Sequence, residues 1–311
     1  MTKIAVIILN WNRAALTLAS ASSVADAFAF LGTNSAVTRL MVIDNASSEE
    51  DLGKLRQGLA TLSKRVSSLD LRINTKNLGY AAGMNTGIKQ LQDWGADYIW
   101  LLNNDTIVDR GAISTLVWYS QQHPDAAMLG ATIVDPESRS VLTAGGYKYL
   151  PWLGWHRPNL AGQSLEALGS ARPSQRLDYI DGAALWLRGD FIRRIGGLPT
   201  HQFLYFEELA LTKLLDNDES VRWCPSALVY HSQAGSATTA ELRARGTYHA
   251  AFSAFSYTLR EHPICLPSVI LSRVLGVSFR SMIRRQPGLT KAVFAALLDF
   301  IKGRPASYGE Q

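Results

Sequence analysis

Three short apolar runs, each ending in a cluster of amide and acid side chains, constrain this chain most. Ile4 to Leu9 leads into Asn10-Trp11-Asn12, Leu40 to Ile43 into Asp44-Asn45, and Tyr98 to Leu102 into Asn103-Asn104-Asp105. The runs lack polar alternation, the pattern of strands covered on both faces in a parallel sheet. Between them, Ala14 to Phe30 and Tyr80 to Trp94 have helical spacing. Ser48, followed by Glu49, Glu50 and Asp51, reads as a further helix start, and Val66 to Asn74 as another strand. Strand–helix units repeated in this way predict a doubly wound α/β half. Ligands of such sheets bind outside the carboxyl ends of the strands, where all three polar clusters lie.

Beyond residue 130 the pattern loosens. Gly145 to Ser174 reads as loop or short strands, Tyr179 to Leu187 as a strand, Phe206 to Asp216 as a helix and Ser226 to Tyr230 as a strand leading to His231. Helices dominate from Glu241 onward. With 311 residues, 47% of them apolar, the chain can bury one large core with an appendage. A mean hydropathy of +0.00 argues against a disordered chain and against a polytopic membrane protein. Uncharged apolar stretches such as Ala292 to Leu298 fall short of the roughly 18 to 20 residues of a spanning helix. Met1-Thr2-Lys3 and the short apolar run after it make a poor signal peptide. Cys224 and Cys265 have neither zinc spacing nor a disulfide framework, so a reducing, cytoplasmic location is the expectation.

Charge is uneven. Ser256 to Gln311 holds eight basic and three acidic residues, whereas the first 255 residues carry 23 of each sign. Between Pro263 and Arg304, apolar residues interleave with Arg273, Arg280, Arg284 and Arg285. This predicts a basic amphipathic tail suited to an anionic membrane surface, with Arg stems reaching toward headgroups. Packing on the rest of the chain or on a second copy, as a homodimer, is the alternative. No nucleic-acid reading motif is present.

Several clusters can carry chemistry, each with a plainer reading beside it. Asp105, at a strand end, suits a hard divalent cation bridging phosphates, or it caps the next helix. Asp44 and Asn45 can read a base or ribose, or form an Asx-turn. Asn77-Leu78-Gly79-Tyr80 through Asn85 places glycines and asparagines at a helix start, for close backbone approach to a phosphate or sugar or for helix–sheet packing. It is neither a P-loop nor a dinucleotide fingerprint. Glu207 and Glu208 open a helix as a candidate base or as solvated first-turn acids. His231 is a ligand or a structural histidine.

In order, Ile-Leu-Asn-Trp-Asn, Val-Ile-Asp-Asn-Ala-Ser, Asn-Leu-Gly-Tyr-Ala-Ala-Gly-Met-Asn-Thr-Gly-Ile, Trp-Leu-Leu-Asn-Asn-Asp-Thr, Phe-Leu-Tyr-Phe-Glu-Glu and Tyr-His resemble family 2 glycosyltransferases. Among these the chain is most similar to bacterial rhamnosyltransferase-type enzymes of surface polysaccharide assembly. The resemblance implies a GT-A fold: a Rossmann-like mixed sheet flanked by helices over residues 1–240, with a nucleotide half (1–110) and an acceptor half (111–240), followed by a helical tail over 241–311. It further implies a nucleotide-sugar donor (dTDP- or UDP-linked, the sugar a hexose such as rhamnose), Mg²⁺ or Mn²⁺, and inversion at the anomeric carbon. The acceptor would be a saccharide or polyprenyl-linked saccharide at the inner face of the plasma membrane. Residue by residue, it assigns Asn10 and Asn12 to the nucleotide pocket, Asp44 and Asn45 to the base or ribose, and Asn77, Gly79 and Asn85 to the donor flank. It assigns Asn103, Asn104 and Asp105 to the metal motif, His231 to the metal and diphosphate, and Glu208, beside Glu207, to the catalytic base. The chain departs from the family pattern on the acceptor side: Glu208 replaces Asp, Ala210 stands where a second Asp is common, and Leu198-Pro199-Thr200 replaces Phe-Asp-Glu. A family Arg-Asn pair is also missing around Phe252-Ser253-Ala254. A non-catalytic glycan-binding relative and, third, a sugar nucleotidyltransferase are the competing readings.

Overall fold

The structure, a computed structural model, describes residues 1–32, 36–168, 176–232 and 239–306. Gly235, Ser174 and the last five residues, which the sequence reading touches, lie outside them. Four parallel strands form the first half: β1 (Thr2–Asn10), β2 (Ala36–Asp44), β3 (Leu69–Ile73) and β4 (Tyr98–Asn103). Helices α1 (Ala14–Leu31), α2 (Glu49–Leu62) and α3 (Tyr80–Leu91) connect them. The second half adds β5 (Thr106–Val108), α4 (Ala112–Gln122), β6 (Ala126–Val134), β7 (Val141–Ala144), β8 (Gly146–Leu150), β9 (Trp155–Pro158) and α5 (Leu165–Leu168). It continues through β10 (Tyr179–Ile180), β11 (Ala184–Arg188), α6 (Gly189–Ile195), α7 (Glu207–Thr212) and β12 (Ser220–His231). Three long helices end the described chain: α8 (Ala240–Glu261), α9 (Leu266–Ile283) and α10 (Pro287–Ile301).

The main sheet runs β3-β2-β1-β4-β11-β6-β12-β5, with β7 on β6, and a small sheet runs β10-β8-β9. The mixed α/β architecture anticipated from sequence is present: β1 to β4 are parallel, while β11 joins β4 and β6 antiparallel. The central strand β1 is buried on both faces, with Ile4, Val6 and Ile8 packing toward α1 and α2 and Ala5 and Ile7 toward α3 and α6. Each of these isoleucine and valine side chains contributes about 1.5–3 kcal/mol by leaving water. Register pairs Asn10 with Asp44 and Leu9 with Asn103, so three strand ends meet at one rim.

Three expectations change. The single strand expected over Tyr179 to Leu187 is two strands, because Asp181-Gly182-Ala183 breaks it: Asp181 Oδ1 accepts from the Ala183 amide at 2.9 Å. The tail is not a separate appendage, since Tyr248, Tyr257, Val269 and Ala292 share one apolar cluster with Tyr149, Tyr179 and Phe206. Finally, Pro263–Ile283 is long and apolar enough, by length and composition, to cross a membrane, as is the half-buried core helix Ala14–Leu31. Runs counted between charges missed both, because Asp26 in the one and Arg273 and Arg280 in the other interrupt the run without making the helix polar.

Trp186 ties the halves together. It stacks on Tyr98 at 5.2 Å, meets Trp100 edge-on at 5.8 Å, and donates Nε1–H to Ser120 Oγ at 3.0 Å. Trp186→Ala should cost about 3–5 kcal/mol in urea unfolding, from the cavity and the bond no longer accepted by Ser120 Oγ, which still donates to the Leu116 carbonyl.

Candidate active site

Beneath the rim lies a satisfied polar network. Asp44 is fully buried; its Oδ1 accepts from Asn10 Nδ2 at 2.8 Å and Ser47 Oγ at 2.6 Å, and its Oδ2 from the Ser47 amide at 3.0 Å. Asn10 Oδ1 accepts from Thr17 Oγ1 at 2.6 Å, and Asn10 Nδ2 also donates to Asp51 Oδ2 at 3.0 Å. The expected direct contact of Asp44 and Asn10 with a nucleotide therefore has no open face here; they brace the rim from below. Asn45 does the same one step along, donating to Asn77 Oδ1 at 2.8 Å and to the Gly79 carbonyl at 3.1 Å. Asn12, at φ +53°, bonds back to Ser47 and Ser48. Gly79 is at φ +80°, and a Cβ there would overlap the Phe203 carbonyl. Asn85 clasps the Leu198 backbone through both amide atoms, at 2.8 and 2.9 Å, instead of flanking an open cavity.

On the rim itself, a cavity of about 220 Å³ is lined by Trp11, Arg13, Tyr80, Asn103, Asn104 and Asp105. The pocket wall thus takes Trp11 and Arg13, where the sequence reading took Asn10 and Asn12. Asn10, the last residue of β1, turns inward, and the left-handed backbone at Asn12 turns that side chain toward the loop after β2. The large aromatic at a strand end was the available signal for this wall.

A second cavity of about 320 Å³ shares Tyr80 and Asn103 with the first and holds Asp181, Glu207, Glu208 and His231. A wider depression of about 950 Å³, lined in part by Lys148, Asp178 and Arg222, holds none of the strand-end residues. Asp181 is the site residue that sequence reasoning missed; the Asp-Gly pair inside an apolar run was its only mark. Tyr147 Oη donates to Asp181 Oδ2 at 2.8 Å, and Tyr80 Oη donates to the Gly182 carbonyl at 3.0 Å. Glu208 Oε1 lies over Gly182, where a Cβ would overlap it. Tyr205 and Phe206, both at φ +70°, set the start of α7. Such left-handed backbone in two successive aromatic residues costs on the order of 1–2 kcal/mol each and points the two glutamates inward.

Electrostatics separate the two sides of the cavity. Burial raises Glu207 above the ordinary carboxylate range, and its Oε2 has no hydrogen-bond partner. Burial, then the charge of Glu207 and that of Asp181, raise Glu208 well above it too. His231 Nε2 lies 3.0 Å from Asp105 Oδ1 without the alignment of a hydrogen bond. Burial alone would lower the His231 pKa, but the adjacent Asp105 carboxylate, with Asp181, holds it above its usual value.

Among the described residues no three His, Cys, Asp or Glu converge on a metal position. Asp105 and His231 nevertheless suit a divalent cation, which takes only one or two protein ligands when phosphate oxygens and water complete its shell. The shielded, unaligned Nε2 of His231 is the observation that fits this use.

The raised acids make stability pH-dependent. Their folded pKa values lie above the unfolded value, so their contribution is full below that value and is lost as pH rises through the folded one. Glu208→Gln should therefore melt roughly 2–4 °C above wild type at pH 8 and level with it at pH 4, by scanning calorimetry without metal.

Residues 5–157 match Glycosyl transferase family 2. A mannosyltransferase of Pyrobaculum calidifontis, solved with GDP-Man and Mn²⁺, superposes with a TM-score of 0.55 at 13% identity over 96% of this chain and 86% of that one. Residues 1–349 of TarS from S. aureus superpose at 0.56 and 15% identity, over 98% and 81%. GalNAc-T7 with UDP, GalNAc and Mn²⁺ superposes at 0.57 and 14%, over 83% of this chain and 52% of that one. At such identities the structures establish the fold alone. No curated protein sequence matches the chain. Residues 5–157 thus match glycosyltransferase family 2, and the chain as a whole has the GT-A fold.

Proposed function

We propose that the chain is an inverting, metal-dependent glycosyltransferase that moves a hexose from a nucleoside-diphosphate donor to a hydroxyl of a lipid-linked saccharide. The observation that carries this reading is the cavity shared by Glu208, Asp181, Asn103 and His231, continuous through Tyr80 and Asn103 with the one that holds Asp105. Trp11 and Arg13 flank the donor side, and Asp105 with His231 would hold the cation. When bound, that cation neutralises the charge growing on the leaving diphosphate. The acceptor hydroxyl gives its proton to Glu208 while its oxygen bonds the anomeric carbon and the bond to the diphosphate breaks. Attack opposite the leaving group inverts the centre, and one carboxylate is enough. The raised pKa of Glu208 makes it a stronger base than an ordinary carboxylate once ionised. The mannosyltransferase and GalNAc-T7, solved with GDP-Man or UDP and Mn²⁺, support a nucleotide-sugar donor and a divalent metal. dTDP-rhamnose and UDP-hexoses are the donors to test first.

The same reading places the protein at the cytoplasmic face of the plasma membrane. Leu271, Leu275 and Phe279 form one exposed stripe on α9, and Phe294, Leu298 and Ile301 another on α10. Exposed Arg280, Arg284, Arg285, Lys291 and Lys302 accompany them, and exposed Trp152 and Trp155 add aromatic anchors beside α9. Apolar stripes with basic flanks suit an anionic bilayer surface.

Two measurements test this. With purified protein, Mn²⁺ and a donor panel, Glu208→Gln should keep donor binding and lower transfer and donor hydrolysis by roughly 10²–10⁴-fold. Asp105→Ala should remove metal-dependent nucleotide binding. Turnover indifferent to Glu208 would remove its assignment as base, and no turnover with any donor would leave a binding module. In co-sedimentation with vesicles containing phosphatidylglycerol, Leu271→Asn with Leu275→Asn should release the protein to the supernatant.

A further inference from the structure

One basic residue of the tail does not behave as its neighbours do. Arg280, Arg284 and Arg285 are exposed, but Arg273 turns inward from α9 and lines the cavity that holds Glu208. Its guanidinium donates to the Gly154 carbonyl, and its centre lies 6.0 Å from the Phe206 ring. Its Nε is shielded from solvent and has no hydrogen-bond partner. Among the described residues no carboxylate forms an ion pair with it. Desolvation, the larger effect, and the nearby charge of Arg280 lower its pKa to about 10, so it remains cationic at neutral pH. His156 beside it cannot serve as counter-ion: burial, then the Arg273 charge, bring its pKa down to about 3, and its Nδ1 pairs with Tyr179 Oη at 2.6 Å. A shielded cation without a partner anion is costly, and folded proteins ordinarily pair such groups.

We propose that Arg273 is the subsite for a phosphate of the acceptor, placed between the saccharide in the cavity and the lipid outside. Three observations converge on it. The cavity between Arg273 and Glu208 is walled by Tyr147 and Tyr179, stacked at 5.1 Å, with His156 and Phe206, faces that suit the C–H surface of a sugar ring. The same helix that turns Arg273 inward presents Leu271 and Leu275 outward, two residues to either side. A lipid-linked saccharide carries its phosphate at the junction of those two environments. Charge is complementary as well: a phosphate beside Arg273 supplies the anion that it lacks among the described residues of the cavity. This rests on the lipid-linked acceptor of the proposed function and adds the residue that would recognise it.

The test uses the full chain in EDTA, so that phosphate cannot be held through a metal at the donor side. Farnesyl phosphate, glucose 1-phosphate and farnesol are titrated by calorimetry against wild type, Arg273→Gln and Arg273→Lys, each checked for an unchanged melting temperature. Farnesyl phosphate should bind wild type roughly ten- to a hundredfold more tightly than Arg273→Gln, the scale of one charged hydrogen-bonding partner. Arg273→Lys should lie within a few fold of wild type, and farnesol should not distinguish the three. Glucose 1-phosphate binding as tightly as farnesyl phosphate, and equally dependent on Arg273, would overturn the lipid source. Equal affinity of Arg273→Gln and wild type for both phosphates would overturn the site. Arg273-dependent binding in a protein without transferase activity would sink the catalytic reading while leaving the site in place.

Discussion

The register of β1 between β2 and β4 is the constraint on which the rest of the molecule depends. β1 is buried on both faces, so a slip of one residue would exchange Ile4, Val6 and Ile8 with Ala5 and Ile7 and misfit both layers. Apolar packing therefore fixes where three strands end, and the polar residues after them arrive at one rim as a consequence. The side chains just below the rim then have a task of their own. Asn10, Asp44, Ser47 and Asp51 satisfy one another with little solvent, which stiffens the loop that carries Trp11 and Arg13.

Much of this was legible in the residues. Buried strands, their order and the side of the sheet that carries chemistry follow from unalternating apolar runs ending in Asn and Asp. Which side chain at a strand end faces a ligand does not follow, because it depends on the backbone after the last ladder pair. The inward turn of Asn10 and the positive φ of Asn12 exchange the two asparagines for Trp11 and Arg13. Asp181 was hidden for a related reason. Its neighbours Tyr179, Ile180, Ala183 and Ala184 read as one strand, and only the small sheet carrying Tyr147 interrupts it. Arg273 was read as one of a row of basic surface residues, since spacing along a helix cannot tell which face meets a hairpin formed over a hundred residues earlier.

Acidic and basic groups divide the second cavity in a way that stability alone would not favour. Two glutamates and Asp181 crowd one wall, and burial pushes the glutamates toward their neutral forms. His231, pressed against Asp105 of the adjoining cavity, shares that half, while Arg273 has no ion-paired acid among the described residues. The crowded acids and Arg273 are each unfavourable by themselves and gain from a charge of opposite sign beside them. Sites whose groups are mismatched when empty are those where ligand binding has most electrostatic energy to gain.

The substitution of Glu for Asp at position 208 can be understood from its surroundings. A glutamate reaches one methylene further than an aspartate, and here the extra length carries Oε1 over Gly182, where any side chain would collide. Tyr80, bonded to the Gly182 carbonyl, and the Asp181 turn hold that backbone in place. On the other side, the left-handed pair Tyr205-Phe206 sets the first turn of α7 from which the longer side chain extends. The longer acid, the bare glycine and the strained turn thus form one unit, and changing any of them alone moves the carboxylate. An aspartate at 208 on the same backbone would stop short of Gly182. The position of the Glu208 carboxylate is therefore a property of three segments more than twenty residues apart, and not of the glutamate pair by itself.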